Sequence, residues 1–271
     1  MTTIASAPGK LMLSGEYAVV VAGAPAVACA VNLRLRVTCV RGGASWTVTS
    51  STLGLSESSL RSVPLLEVVV ERFAPPGSGG AFTIESELGA GSDKPGLGSS
   101  AALVVAASAA VCREFDHATP SLSELIACHQ AGQGGGSGYD VATALLGGVC
   151  LFQRIGDEAV ATSVAWPEDI VARVLQFGSG VSSSGQLRKL ESAMSQAPDA
   201  VGEALDQQCA AAVAVAAALE EGGALFSLLS HHERSLLVLD SVAALGIATP
   251  AYLGVAEVLR DGHAMMRTAG A

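Results

Sequence analysis

The chain has 271 residues, half of them hydrophobic and only 15% charged, and its formal net charge is −10. That length and apolar content suffice for a buried core and exclude a disordered chain. The acidic balance argues against nucleic acid or an anionic membrane as a partner, so an anionic small molecule would need a local concentration of Lys, Arg, backbone N–H groups or Mg²⁺.

In chain order, residues 3–7 read as a short start, broken by Pro8-Gly9-Lys10 before Leu11-Met12-Leu13. Ser14-Gly15-Glu16-Tyr17-Ala18 follows, a loop and apolar segment able to hold Lys10 and Glu16 toward a common cleft. Leu33, Leu35 and Val37 alternate with Arg34, Arg36 and Thr38, the pattern of a half-buried strand within residues 25–40, and residues 46–49 read as its partner. Pro64 opens a helix whose apolar positions are Leu65, Leu66, Val69, Val70 and Phe73. A Pro/Gly loop at 75–80 leads to a strand over 81–87.

The chain is organised around Lys94-Pro95-Gly96-Leu97-Gly98-Ser99-Ser100-Ala101-Ala102. Glycine lets another group approach the backbone closely. The small and apolar run at 103–111 predicts a buried helix whose first turn is 100–103. A helix N-terminus presents unpaired N–H groups and the positive end of the macrodipole, and serine hydroxyls add ligands for Mg²⁺ or phosphate oxygen. The stretch reads as a phosphate cradle. The plainer alternative is a turn with a serine cap. A dinucleotide-binding loop fails on context, because polar, glycine-broken sequence precedes Gly96 where an apolar strand is required.

Ser121 and Glu124 form a capping-box pattern that opens a helix to about residue 131. A glycine-rich loop then presents Ser137-Gly138-Tyr139-Asp140 before an Ala/Leu segment. Asp140 reads either as a cap of that segment or, with the cradle and Lys10, as a catalytic carboxylate. Residues 147–154, 159–166 and 173–177 read as strands, and 179–184 as a Ser/Gly loop before a helix with Arg188 and Lys189. From Asp199 onward the pattern is helical, with Pro250 opening a helix to about residue 261. Adjacent His231 and His232 point to different parts of a helix surface and read as a solvated face, not a metal pair. Cys29, Cys39, Cys112, Cys128, Cys150 and Cys209 are scattered without a C-x-x-C, which points to free thiols in a reducing compartment. Without a signal-peptide pattern or an apolar run of the ~18–20 residues that span a bilayer, the expected location is cytoplasmic.

Three motifs in order resemble the GHMP kinases, the family of galactokinase, homoserine kinase, mevalonate kinase and phosphomevalonate kinase: Ala7-Pro8-Gly9-Lys10 with Gly15-Glu16-Tyr17-Ala18-Val19, then Gly96-Leu97-Gly98-Ser99-Ser100-Ala101-Ala102, then Ser137-Gly138-Tyr139-Asp140. Tyr17, the run His129-x-x-x-Gln133-Gly134 and Gly246-Ile247-Ala248-Thr249-Pro250 are most similar to the phosphomevalonate branch. Mevalonate kinases tend to carry a metal-binding glutamate upstream of the third motif, and none stands between Ile126 and Gln133.

The resemblance implies an α+β, two-domain GHMP kinase fold. Its N-terminal βαβ-type nucleotide-binding domain would span 1–170. A C-terminal ferredoxin-like α/β domain would span 171–271, where the sequence stops inside what resembles the family's last glycine-rich loop. It implies ATP and Mg²⁺ as cofactors, a small-molecule substrate, no nucleic acid or membrane partner, and a monomer or homodimer. Asp140 and Lys10 would be catalytic, Lys94, Pro95, Gly96, Leu97, Gly98, Ser99, Ser100, Ala101 and Ala102 would bind the nucleotide, and Ser100 would hold the metal. Lys10, Glu16, Tyr17, Ser137, Gly138, Ser183 and Arg188 would contact the substrate. The expected reaction is phosphorylation of 5-phosphomevalonate to the diphosphate; the alternatives are mevalonate as acceptor, or a metabolite sensor without turnover.

Overall fold

The computed structural model describes residues 2–20, 24–89, 95–156, 158–175, 183–259 and 265. The chain forms two units interleaved in sequence: Met1–Leu11 with Ala30–Gly148, and Met12–Cys29 with Val149–Ala271.

The first unit combines a sheet with four helices. Its strands run β4 (Leu55–Ser59), β3 (Trp46–Ser50), β5 (Gly80–Ser86) and β2 (Ala26–Arg41), with β1 (Thr2–Ser14) also paired to β2. Leu35 and Val37 of β2 face inward as their alternation predicts, joined by Cys39, whereas Leu33 of the same alternation is exposed. Residues 46–49 do not pair with that strand, however. β5 lies between them, antiparallel to β2 and parallel to β3, with Val37 opposite Ile84 and Val48 opposite Phe82. A parallel pair requires a crossover, and the connection from β3 to β5 carries α1 (Pro64–Phe73). Trp46 stacks on Phe82 with ring centroids 4.9 Å apart, which fixes this pairing. Nor do Pro8 and Gly9 break β1. Among the described strands β1 pairs with β2 alone, so the missing proline N–H is tolerated on its open side.

The helix after the cradle, α2 (Ser99–Glu114), is buried along nearly its whole length, from Ala101 through Ala107 and again at Ala110, Val111 and Cys112. Its small side chains let α1, α3 (Leu122–Gln133) and α4 (Tyr139–Leu146) pack closely around it. The capping box predicted at Ser121 and Glu124 is present in full at the start of α3.

In the second unit, residues 26–29 of β2 pair antiparallel with β6 (Val149–Ile155), and β6 with β7 (Glu158–Val164). Helices α5 (Ser183–Gln196), α6 (Pro198–Glu221), α7 (Leu225–Ala243) and α8 (Pro250–Val258) follow. The predicted strand at 173–177 does not form: residues 173–175 join no ladder and 176–177 lie outside the described residues. Among the described residues after 171, regular structure is helical. α5, α6 and α7 close a core of Leu190, Val201, Leu205, Leu236, Leu239 and Leu245. The Asp240 carboxylate accepts the N–H groups of Gly246 (2.7 Å), Ile247 (3.1 Å) and Ala248 (2.8 Å), shaping the turn into α8, where Thr249 is the cap.

All six cysteines are free, four of them buried. Burial pushes the Cys128 thiol up to about 11 and Cys39 up to about 12, the nearby Glu114 adding to the latter. No helix among the described residues is long and apolar enough to cross a membrane.

Candidate active site

α2 and α4 begin alike. Each has a glycine at its N-cap in the left-handed region, Gly98 (φ 74°) and Gly138 (φ 96°), and neither has a side-chain cap hydrogen bond. The serine-cap reading of the first loop therefore gives way, whereas Asp140, though not the N-cap residue, does accept one first-turn N–H of α4, that of Val141. The first turn of α2 thus presents N–H groups open to an anion, while in α4 the Asp140 carboxylate takes one of them. In α3, by contrast, the capping box closes the same end.

Ser100 stands in the first turn of α2 and Asp140 in the first turn of α4. Asp140 Oδ1 accepts the N–H of Val141 at 2.9 Å, and its side chain is 20% exposed. His129, from the middle of α3, joins the two: its Nε2 lies 3.2 Å from Ser100 Oγ and 3.9 Å from Asp140 Oδ2.

β1 delivers Lys10 to the cradle. Its backbone N–H donates to Leu97 O at 2.8 Å, its Nζ lies 3.5 Å from Gly96 O, and the ammonium stands 5.3 Å from the centroid of the Tyr139 ring. The lysine stem runs so close to the loop that a Cβ on Gly98 would lie 2.9 Å from Lys10 Cγ. Gly9 has the same role on the strand: a Cβ there would lie 2.5 Å from Leu88 Cδ2 and 2.7 Å from Leu97 O. Gly9→Ala must therefore push β1 off the loop. Overpacking of this kind costs about 1–3 kcal/mol, and at about 2–4 °C per kcal/mol the melting temperature should fall by several degrees in a calorimetric scan. A melting temperature equal to the wild type's would contradict this account of Gly9.

The first unit thus assembles Lys10, the loop from Pro95 to Ala102, Ser137, Gly138 and Asp140. Lys94 lies outside the described residues. Glu16, Tyr17 and Arg188 belong to the second unit, where Glu16 and Tyr17 are buried and Arg188 is exposed on α5. Tyr17 has a left-handed backbone (φ 61°) and a hydroxyl with no hydrogen-bond partner among the described residues. Burial, then Asp240 and Glu16, raise its pKa. The side chain of Ser183, the loop before it and residues 266–271 lie outside the described residues.

Two histidines escaped the sequence reading. His129 was visible only as the first residue of a motif run. His232, placed on a solvated face, is fully buried in the second unit; its Nε2 accepts the N–H of Gly15 at 3.0 Å and lies 3.0 Å from the amide nitrogen of Gln208. Because Nε2 accepts a hydrogen bond, it carries no proton, and Glu16 at 3.6 Å faces a neutral ring.

Residues 63–148 match the family described as GHMP kinases N terminal domain. A mevalonate kinase of Archaeoglobus fulgidus is 42% identical over 154 residues, covering 55% of this chain and 52% of that protein. The chain spans about half the length of the curated relatives it matches. Among solved structures, the Lin0012 protein of Listeria innocua superposes with a TM-score of 0.78 at 20% identity, covering 100% of this chain and 88% of that one. Phosphomevalonate kinase of Streptococcus pneumoniae, in complex with phosphomevalonate and AMPPNP, superposes with a TM-score of 0.76 at 17% identity over 98% of this chain and 88% of that one. Residues 63–148 thus match the GHMP kinase N-terminal domain, and the chain that carries them has a GHMP kinase fold.

Proposed function

We propose that the chain is an ATP-dependent phosphotransferase of the mevalonate series, using Mg²⁺ and taking 5-phosphomevalonate as acceptor. The observation that carries the reading is the pair of glycine-led helix starts in one unit, Ser100 at one and Asp140 at the other, with Lys10 laid along the first.

Phosphoryl transfer asks a protein for in-line positioning and charge neutralisation more than for covalent chemistry. The N–H groups at the start of α2 would hold the β- and γ-phosphate oxygens, and the glycines of the loop let those oxygens reach the backbone. Mg²⁺, when bound, supplies charge that offsets the phosphates, and Ser100 Oγ would be its ligand from the chain. Lys10 would neutralise charge on the same face of the loop. Asp140 would accept a hydrogen bond from the attacking oxygen and hold it in line. On a phosphate acceptor, already ionised near neutral pH, that orientation matters more than removing a proton. Ser137 and Gly138 would contact the acceptor, and on the resemblance alone Glu16, Tyr17, Ser183 and Arg188 are proposed as further contacts.

Mevalonate is the second reading, favoured by the curated relatives named mevalonate kinase. There Asp140 would face an alcohol and act as a base. ADP release from Mg-ATP, measured with 5-phosphomevalonate and with mevalonate, separates the two. Turnover with 5-phosphomevalonate alone is expected, turnover with mevalonate alone would select the second reading, and turnover with neither would sink both and favour a sensor.

A further inference from the structure

His129 is 5% exposed and carried by a helix fixed at both ends, by the Ser121–Glu124 capping box and by Gly134 in the left-handed region. Its Nε2 therefore holds a preset position opposite two oxygens from two other helices, Ser100 Oγ at 3.2 Å and Asp140 Oδ2 at 3.9 Å. Ligand atoms sharing one small divalent ion, each at about 2.1 Å, stand about 3–4 Å apart. His129 Nε2 already stands at that spacing from each of the two oxygens. Among the described residues no group of three His, Cys, Asp or Glu side chains can hold a metal by itself. The shell must be completed by oxygens from outside the protein, and the open end of α2 beside Ser100 is where phosphate oxygens would arrive.

Resting on the nucleotide reading above, we propose that His129 Nε2 is itself a ligand of the divalent cation, together with Ser100 Oγ and Asp140 Oδ2, so that this site prefers Mn²⁺ or Co²⁺ over Mg²⁺. Mg²⁺ favours an all-oxygen shell and parts with its waters reluctantly, whereas an imidazole nitrogen suits the first-row transition ions. The buried ring also excludes one water that Mg²⁺ would otherwise keep.

Pulsed EPR of Mn²⁺ bound to the full chain, in the presence of a methylene-bridged ATP analogue, tests this on two nuclei. A ¹⁴N coupling reports His129, and a ³¹P coupling reports the nucleotide phosphates. Both are expected in the wild type, with the ¹⁴N coupling absent from His129→Gln. In the same variant, displacing Mn²⁺ should take about tenfold less Mg²⁺, the scale on which losing a metal contact acts. A ³¹P coupling without ¹⁴N in the wild type overturns the ligand role of His129 and leaves the nucleotide reading standing. A ¹⁴N coupling without ³¹P does the reverse, and Mn²⁺ with neither coupling overturns both. The wild-type spectrum alone decides should His129→Gln fail to fold.

Discussion

Asp140→Asn is expected to cost about 10²–10⁴-fold in turnover while leaving the melting temperature and, measured without a divalent cation, the affinity for an ATP analogue near their wild-type values. The geometry separates those quantities. Oδ1 accepts the Val141 N–H, a bond that the asparagine oxygen retains, so the start of α4 keeps its shape. The partly exposed carboxylate loses only its charge and its second acceptor, the oxygen facing His129 Nε2. The nucleotide contacts proposed on α2 do not involve that oxygen. ADP release, calorimetric melting and analogue titration on the same preparation make the test. Turnover within tenfold of wild type would remove Asp140 from the chemistry, and a collapsed melting temperature would make it a structural residue instead.

His232→Ala should be the most damaging single change to stability, costing about 3–5 kcal/mol from the lost packing and the orphaned polar groups together. His232 and Gln208 are both fully buried in the second unit. The ring accepts from Gly15, whose own backbone (φ 94°) and close approach to Pro25 O leave no room for a substitute side chain. The Gln208 amide also reaches Glu16 O at 3.4 Å, and Ser235 Oγ lies within reach of both Gln208 Oε1 and His232 O. Truncation leaves a buried N–H and a buried amide without their acceptor. His232→Gln, which restores an acceptor, should recover part of the loss. Urea unfolding followed by circular dichroism measures the midpoints, and an alanine variant with the wild-type midpoint would show the network to be dispensable.

These two residues also mark what can be read from a sequence. Features whose partners lie a few residues apart were legible: the Ser121–Glu124 capping box, Pro64 at the start of α1, the alternation in β2, and the Gly-Ser loop feeding a buried helix. Features settled by distant chain were not. Nothing within residues 46–50 specifies that β5 rather than β2 lies beside them; the Trp46–Phe82 stack does, and it spans a crossover. His231 and His232 differ only in which side of α7 they occupy, and the sequence of one helix does not say which side its neighbours cover. His129 stands eleven positions before Asp140, a spacing that no helical rule connects. Only the packing of α3 and α4 against α2 brings their side chains together. Lys10 was legible as a charge near a glycine, but its route over Gly98 required coordinates.

The interleaving of the two units has a consequence for synthesis on the ribosome. Residues 12–29 emerge early, yet the strand that pairs with 26–29 begins only at Val149. At about 5–20 residues per second, that apolar stretch, with Val27 and Ala28 among its buried side chains, waits several seconds or longer for its partner. The nascent chain therefore carries that part of β2 without its β6 partner from Cys29 until Val149 is made, a large share of its own translation. A holdase that recognises short extended apolar segments would find its substrate there, and neither unit can be made as one contiguous piece of the gene.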